Sequence, residues 1–177
     1  MSGKILLKLL GGTKSSHALR RWINLWPPFL GAGIRVQRIA PDMKAADVEL
    51  KLRWWNANYV GTAFGGSLFA MTDAFYMLML MANLGSDYIV WDKAASIRYR
   101  KPGRGTVRAE FRLTDAQLDD IREKVKTLPK YEPVFKVEVK DEQGVVIAEV
   151  EKLLHVRRKE SAPELQGGGG MQPGARA

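Results

Sequence analysis

The chain contains no cysteine and only two histidines, His17 and His155, which lie too far apart in sequence to form a local motif. Thiolate nucleophiles, disulfides, iron–sulfur clusters and Cys-bound zinc are therefore excluded, and no metal site is expected. Any chemistry must rest on carboxylates, hydroxyls, amides and main-chain groups. Acids are missing from residues 1–41, which hold seven Lys or Arg. The net charge of +9 comes from this segment and the C-terminal tail, while residues 42–156 balance 17 bases against 17 acids. Basic ends of this kind attract polyanions in general without naming one, and no nucleic-acid partner is expected. The one long apolar run, Ser67 to Leu84, contains Thr72, Asp73 and Asn83 and sits at the short limit for a membrane span. It suits a helix buried nearly all round. The run from Met1 to Leu10, broken by Lys8, is too short for a secretory signal, so a cytoplasmic location is expected.

What is present is one domain's worth of chain, 177 residues with 46% hydrophobic side chains. Ser15 or Ser16 is the expected cap of a helix running to Trp26 and stopped by Pro27-Pro28. From Ile34 the pattern changes to period two. Asp47 to Trp54 alternates strictly, placing Val48, Leu50, Leu52 and Trp54 on one face. After the long helix, strands are expected at about Ile89–Arg100, Thr106–Leu113, Val134–Lys140 and Val145–Arg158. A short amphipathic helix, Thr114 to Lys126, carries Leu118, Ile121 and Val125 inward. These elements divide the chain into an N-terminal helical segment (1–30), a main domain (31–159) and a disordered tail (160–177). An apolar helix early in a run of antiparallel strands forces the sheet to curl around it. Its remaining apolar surface then needs a second layer, which predicts a dimer or tetramer.

The segment Asn58 to Asp73 carries the chemistry. Gly61 and Gly66 have the glycine spacing of a P-loop, but Ser67 stands where that loop needs its Lys, so nucleotide binding is discarded. Gly65 and Gly66 instead lead a helix whose first N–H groups lack helical partners, and a carbonyl oxygen can approach them closely. Asp73 lies eight residues beyond Gly65, two turns on and on roughly the same side of a continuous helix. In apolar surroundings its pKa should rise.

The order of strand, Gly-Gly, apolar helix bearing a carboxylate, then antiparallel strands resembles the hotdog fold. It implies an α+β architecture: a curved antiparallel sheet wrapped around one long apolar helix, with an extra N-terminal helix. Within that superfamily the chain is similar to acyl-coenzyme A thioesterases of the phenylacetate-pathway type. From Trp26 to Arg158 it most resembles a family of uncharacterised domains regarded as acyl-CoA thioesterases, often tetrameric.

The resemblance implies hydrolysis of an acyl-CoA or related thioester, with coenzyme A entering as part of the substrate and no separate cofactor. Gly65 would be the oxyanion donor, Asp73 the base or nucleophile, and Asn58 an amide that orients water or substrate. Asp92 falls near a position where some relatives place a water-positioning Ser. Phe64 stands where many relatives carry His, which opens the alternative of a noncatalytic acyl-thioester binder. Substrate contacts are expected from Phe64, Gly66, Thr62 and Ser67, although the last two also suit turn and cap hydrogen bonds. Arg100, Lys101 and Arg104 could meet the coenzyme phosphates. Membrane contact through the basic N-terminus is a lesser alternative.

Overall fold

The computed structural model describes residues 13–159, with side chains from residue 16. The expected tail 160–177 and the run Met1–Leu10 lie outside the described residues. Helix α1 (Thr13–Asn24) buries Leu19 and Ile23. It begins ahead of Ser15 and Ser16, so neither serine is its cap. Its last residue is tied to the first strand, β1 (Ile34–Ile39): Asn24 Oδ1 accepts from Val36 N–H (2.7 Å) and Asn24 Nδ2 donates to Val36 O (3.0 Å). An amide side chain thus satisfies main-chain groups on an edge strand that would otherwise be open. Pro27-Pro28 does more than stop α1. The pair opens a second short helix, α2 (Pro27–Ala32), because proline is tolerated in a first turn whose N–H groups have no partner anyway.

Strand β2 (Ala45–Lys51) ends earlier than the alternation predicts. Buried Asn56 captures the chain there: its Nδ2 donates to Lys51 O (2.9 Å) and Ala32 O (3.0 Å), and its Oδ1 accepts from Arg53 N–H (2.6 Å). The chain turns away from the sheet, and Trp54, expected to face inward, is 88% exposed.

Six strands form a single antiparallel sheet in the order β1-β2-β4-β5-β6-β3, where β3 is Tyr88–Tyr99, β4 Thr106–Arg112, β5 Val134–Lys140 and β6 Val146–Arg158. β3 pairs with β6 along its whole length, with an irregularity between Asp92 and Ala94, and its other edge has no partner strand among the described residues. The sheet curves over the apolar segment as expected of a hotdog fold. The expected long helix over Gly65–Leu84 is present but interrupted. It runs as α3 (Gly65–Ala70) and α4 (Phe75–Leu84), separated by a turn in which Thr72 N–H and Thr72 Oγ1 both donate to Phe69 O. A threonine hydroxyl competing for a helix carbonyl, together with Lys152 Nζ donating to Asp73 O (2.9 Å), accounts for the break.

The core lies between α4 and the sheet. Phe75 stands 4.8 Å from Phe111 and Tyr76 stacks on Phe135 at 4.5 Å between ring centres. Although Gly65–Leu84 is long and apolar enough to cross a membrane by composition, this packing covers most of α4. Helix α5 (Asp115–Thr127) opens with a capping box between Thr114 and Gln117 and buries Leu118, Ile121 and Val125.

Candidate active site

The residues singled out by sequence separate into two groups. The first surrounds the start of α3. Asn58, Thr62, Gly65, Tyr99, Arg100 and Lys101 line one groove of about 420 Å³. That volume falls in the range of ordinary ligand sites. Gly65 in its lining and the adjacent Gly66 have N–H groups with no hydrogen-bond partner among the described residues, while Ser67 and Leu68 N–H both donate to Phe64 O. With only six residues in α3, the attraction for a developing negative oxygen resides in these two amides rather than in a long dipole.

Packing explains why both positions are glycine. A Cβ on Gly65 would lie 2.9 Å from the Tyr99 hydroxyl, and one on Gly66 would lie 2.5 Å from the Phe64 ring. Tyr99 was not anticipated as a site residue; its place at the end of β3, just before the Lys101-Pro102-Gly103 turn, was the available signal.

Asn58 lines the groove, and its amide is also engaged in the turn before Gly65. Its Oδ1 accepts from Val60 N–H (3.1 Å) and Thr62 N–H (2.9 Å), and its Nδ2 donates to Thr62 Oγ1 (2.8 Å). The amide therefore shapes the turn that delivers Gly65, acting as a positioning residue. Thr62 takes part in the same turn, and Ser67 is buried behind the glycines. Phe64 is 56% exposed beside the groove. Arg100 is engaged with Glu149 at 2.7 Å, which offsets its charge. Lys101 and Arg104 are exposed and make no ion pair among the described residues, but Arg104 is outside the groove lining.

The second group sits at the break between α3 and α4. Lys152, the only lysine buried among the described residues, places its Nζ 2.9 Å from Asp73 Oδ1 and 3.1 Å from Asp92 Oδ1. The Asp92 contact is ionic and lacks hydrogen-bond alignment. Neither carboxylate lines the glycine groove. Asp73 is not buried in apolar surroundings as expected: its side chain is 63% exposed, because the helix break swings it outward. The helical phase that placed it beside Gly65 does not apply across two separate helices. The desolvated acid is Asp92. Burial pushes its carboxyl above the usual Asp range, the Lys152 charge pulls it back, and the nearby Asp73 charge adds to the rise.

The β3 irregularity at Asp92/Ala94 aims Asp92 at Lys152. Lys152 itself was missed, although it interrupts the inward row Val150, Leu154 and Val156 of β6, where a lysine demands a partner. No group of His, Asp or Glu capable of holding a metal ion occurs among the described residues.

Solved structures with this fold include a Pseudomonas aeruginosa protein of unknown function described as a probable thioesterase. It is 22% identical, with a TM-score of 0.72, over 81% of this chain and 95% of that one. A Shewanella oneidensis protein provisionally assigned as a thioesterase is 20% identical, with a TM-score of 0.60, over 80% and 96% of the two chains. A Haemophilus influenzae thioesterase is 12% identical, with a TM-score of 0.58, over 81% and 90%. At these identities the likeness establishes the hotdog fold. No curated protein matches the chain. Residues 16–156 match a family model, and the chain belongs to that family, described as a domain of unknown function, DUF4442.

Proposed function

We propose that this protein hydrolyses acyl thioesters, with acyl-CoA as the substrate class. The observation that carries the reading is the unpartnered Gly65 amide in a groove lined by Tyr99 and Lys101, with the unpartnered Gly66 amide next to it in the chain. A thioester carbonyl oxygen seated on those amides is polarised toward attack, and the Lys101 ammonium suits a coenzyme phosphate. Asp73 takes a proton from water as the hydroxide adds to the carbonyl carbon. The tetrahedral oxyanion, held by the amides, collapses and expels the thiolate, leaving a carboxylic acid and a free thiol. A thiol of pKa near 8.5 departs without strong acid assistance, so the lack of a nearby His is tolerable. Lys152 positions both carboxylates.

The carboxylate cluster and the groove are separate within one chain, and a second copy supplies the missing half. The free edge of β3 supports this completion. Ala94, Ala95 and Ser96 are small, exposed side chains at its middle, so nothing there blunts strand pairing. Antiparallel pairing about the Ala95–Ser96 peptide sets Asp92 of one chain opposite the partner's Tyr99, bringing each carboxylate cluster toward the other chain's glycine groove. The assembly is a homodimer in the cytoplasm, needing no cofactor beyond the coenzyme A of its substrate.

The test is a panel of short, long and aromatic acyl-CoA esters assayed for free thiol. Saturable release above the buffer rate from at least one ester is expected. Saturable binding of the esters with no thiol release would overturn hydrolysis in favour of a noncatalytic binder, the reading that Phe64 in place of His favours.

A further inference from the structure

Four of the five tryptophans are exposed on two neighbouring stretches: Trp22 in the last turn of α1 and Trp26 at the cap of α2, and Trp54 and Trp55 in the turn after β2, which Asn56 ties to Ala32 at the end of α2. Leu25 (70% exposed) and Leu30 (53%) stand among them. Leu30, Trp55, Arg35, Lys51 and Arg53 border one open groove of about 510 Å³, which joins α2 to that turn in a continuous corner. Trp54 and Trp55 meet edge to face at 5.6 Å, and the Arg53 guanidinium lies 5.5 Å from the Trp55 ring centre. Exposed tryptophan and leucine side chains gathered on a folded chain mark a contact surface.

Charge identifies the partner. On the sheet's solvent face most bases are ion-paired: Arg38 with Asp47, Arg112 with Asp47 and Glu110, Lys136 with Glu151, Lys140 with Glu138. At the tryptophan corner, Arg35, Lys51 and Arg53 make no ion pair among the described residues. Glu49, the acid at the groove wall, lies opposite Arg35 in the strand register and 4.0 Å from Arg108. Residues 1–41 add no acid at all.

We propose that this corner docks the protein on an anionic lipid surface. Tryptophan rings settle at the depth of the headgroups, Leu25 and Leu30 reach toward the acyl chains, and the free guanidinium and ammonium groups meet lipid phosphates and carboxylates. A second copy of the chain does not fit this surface, because an isologous contact would press two copies of the same unpaired basic patch together. Aliphatic tips beside the rings favour lipid over a single-stranded nucleic acid, which would use the rings as stacking platforms. The inference is independent of thioester hydrolysis.

The experiment is flotation of the full chain with vesicles of phosphatidylcholine alone or containing about one-third phosphatidylserine, with tryptophan emission as a second readout. The wild type is expected to float with the anionic vesicles at least about tenfold more than with neutral ones, with a blue shift of its emission and steep salt dependence. Leu25→Ser with Trp54→Ser should lower vesicle binding about tenfold at unchanged Tm and unchanged oligomeric state. Lys51→Gln with Arg53→Gln should weaken binding and flatten its salt dependence. Absence of binding to the anionic vesicles overturns the proposal. So does wild-type binding by both variants, which would place the contact elsewhere in the chain. A change of oligomeric state in Leu25→Ser/Trp54→Ser would assign the corner to a subunit contact. Capture of a single-stranded oligonucleotide in place of vesicles would assign it to nucleic acid.

Discussion

The glycine groove and the carboxylate cluster are built in opposite ways. At the groove the polar groups that matter are main-chain amides left without partners, held open by Asn58 bonding its own turn and by the two rings that exclude a Cβ at Gly65 and Gly66. At the cluster each charge is already engaged, with one buried ammonium between two acids. In the proposed reaction the first region receives a carbonyl oxygen and the second holds the base. Each lacks what the other has, which is why neither suffices for hydrolysis and why the unpaired edge of β3 matters.

The largest expected effect separates the two regions by function. Asp73→Asn keeps size while removing the base, so kcat for thiol release should fall by about 100-fold or more. Its Tm should change little, because the side chain is mostly exposed and an ion pair of that kind contributes at most about 1 kcal/mol.

Lys152→Met should do the reverse in stability. Losing the cation leaves Asp92 partly buried without its partner and costs about 2–4 kcal/mol, read as a fall in denaturation midpoint. A Tm unchanged in this variant would show that the cluster does not depend on its lysine.

Gly65→Ala is expected to sit between these. The added methyl must push the exposed Tyr99 hydroxyl aside, a movable end of a side chain, so stability should drop by less than about 1 kcal/mol. Thiol release should slow by about tenfold as the amide floor is crowded.

The cluster also has a pH signature. Because the Asp92 pKa is raised in the folded state, the fold binds that proton more tightly than the unfolded chain. Its stabilising share is complete at low pH and is lost as pH rises through the raised value. Wild type should therefore lose stability relative to Asp92→Asn as pH climbs above the ordinary Asp range, measured by denaturation at several pH values.

The smallest effect is expected at the groove's rim. Arg100→Ala removes an exposed pair with Glu149 and should alter stability by less than about 1 kcal/mol, with a similarly small change in substrate KM.

Much of the fold was legible because its strands alternate between two solvents. β5 occupies the expected Val134–Lys140, and α5 shifts by a single residue at each end, with its three inward residues as foreseen. Alternation failed at Trp54, where the pattern continues but the hydrogen bonds of Asn56 have already drawn the chain out of the sheet.

The helix break was hidden for a related reason. An all-apolar run has no wet face against which a change of phase could show, and only Thr72 and Asp73 hinted at it. Gly65 and Asp73 were visible from the spacing of unusual residue types. The roles of Tyr99 and Lys152 depend on contacts across 34 and 79 residues, which no local pattern reports. Even so, a lysine in the inward register of β6 was a signal in its own right.

The central claim is that the Gly65 amide of one chain and the Asp73 carboxylate of another act on one thioester. Mixing two variants tests it directly: Asp73→Asn, which keeps the groove, and Gly65→Val, which keeps the base, each nearly inactive alone. After unfolding and refolding an equal mixture, half the dimers are mixed and each carries one intact site, so thiol release should recover to about a quarter of the wild-type rate. A mixture as inactive as its parents, with mixed dimers demonstrably formed, would contradict the claim.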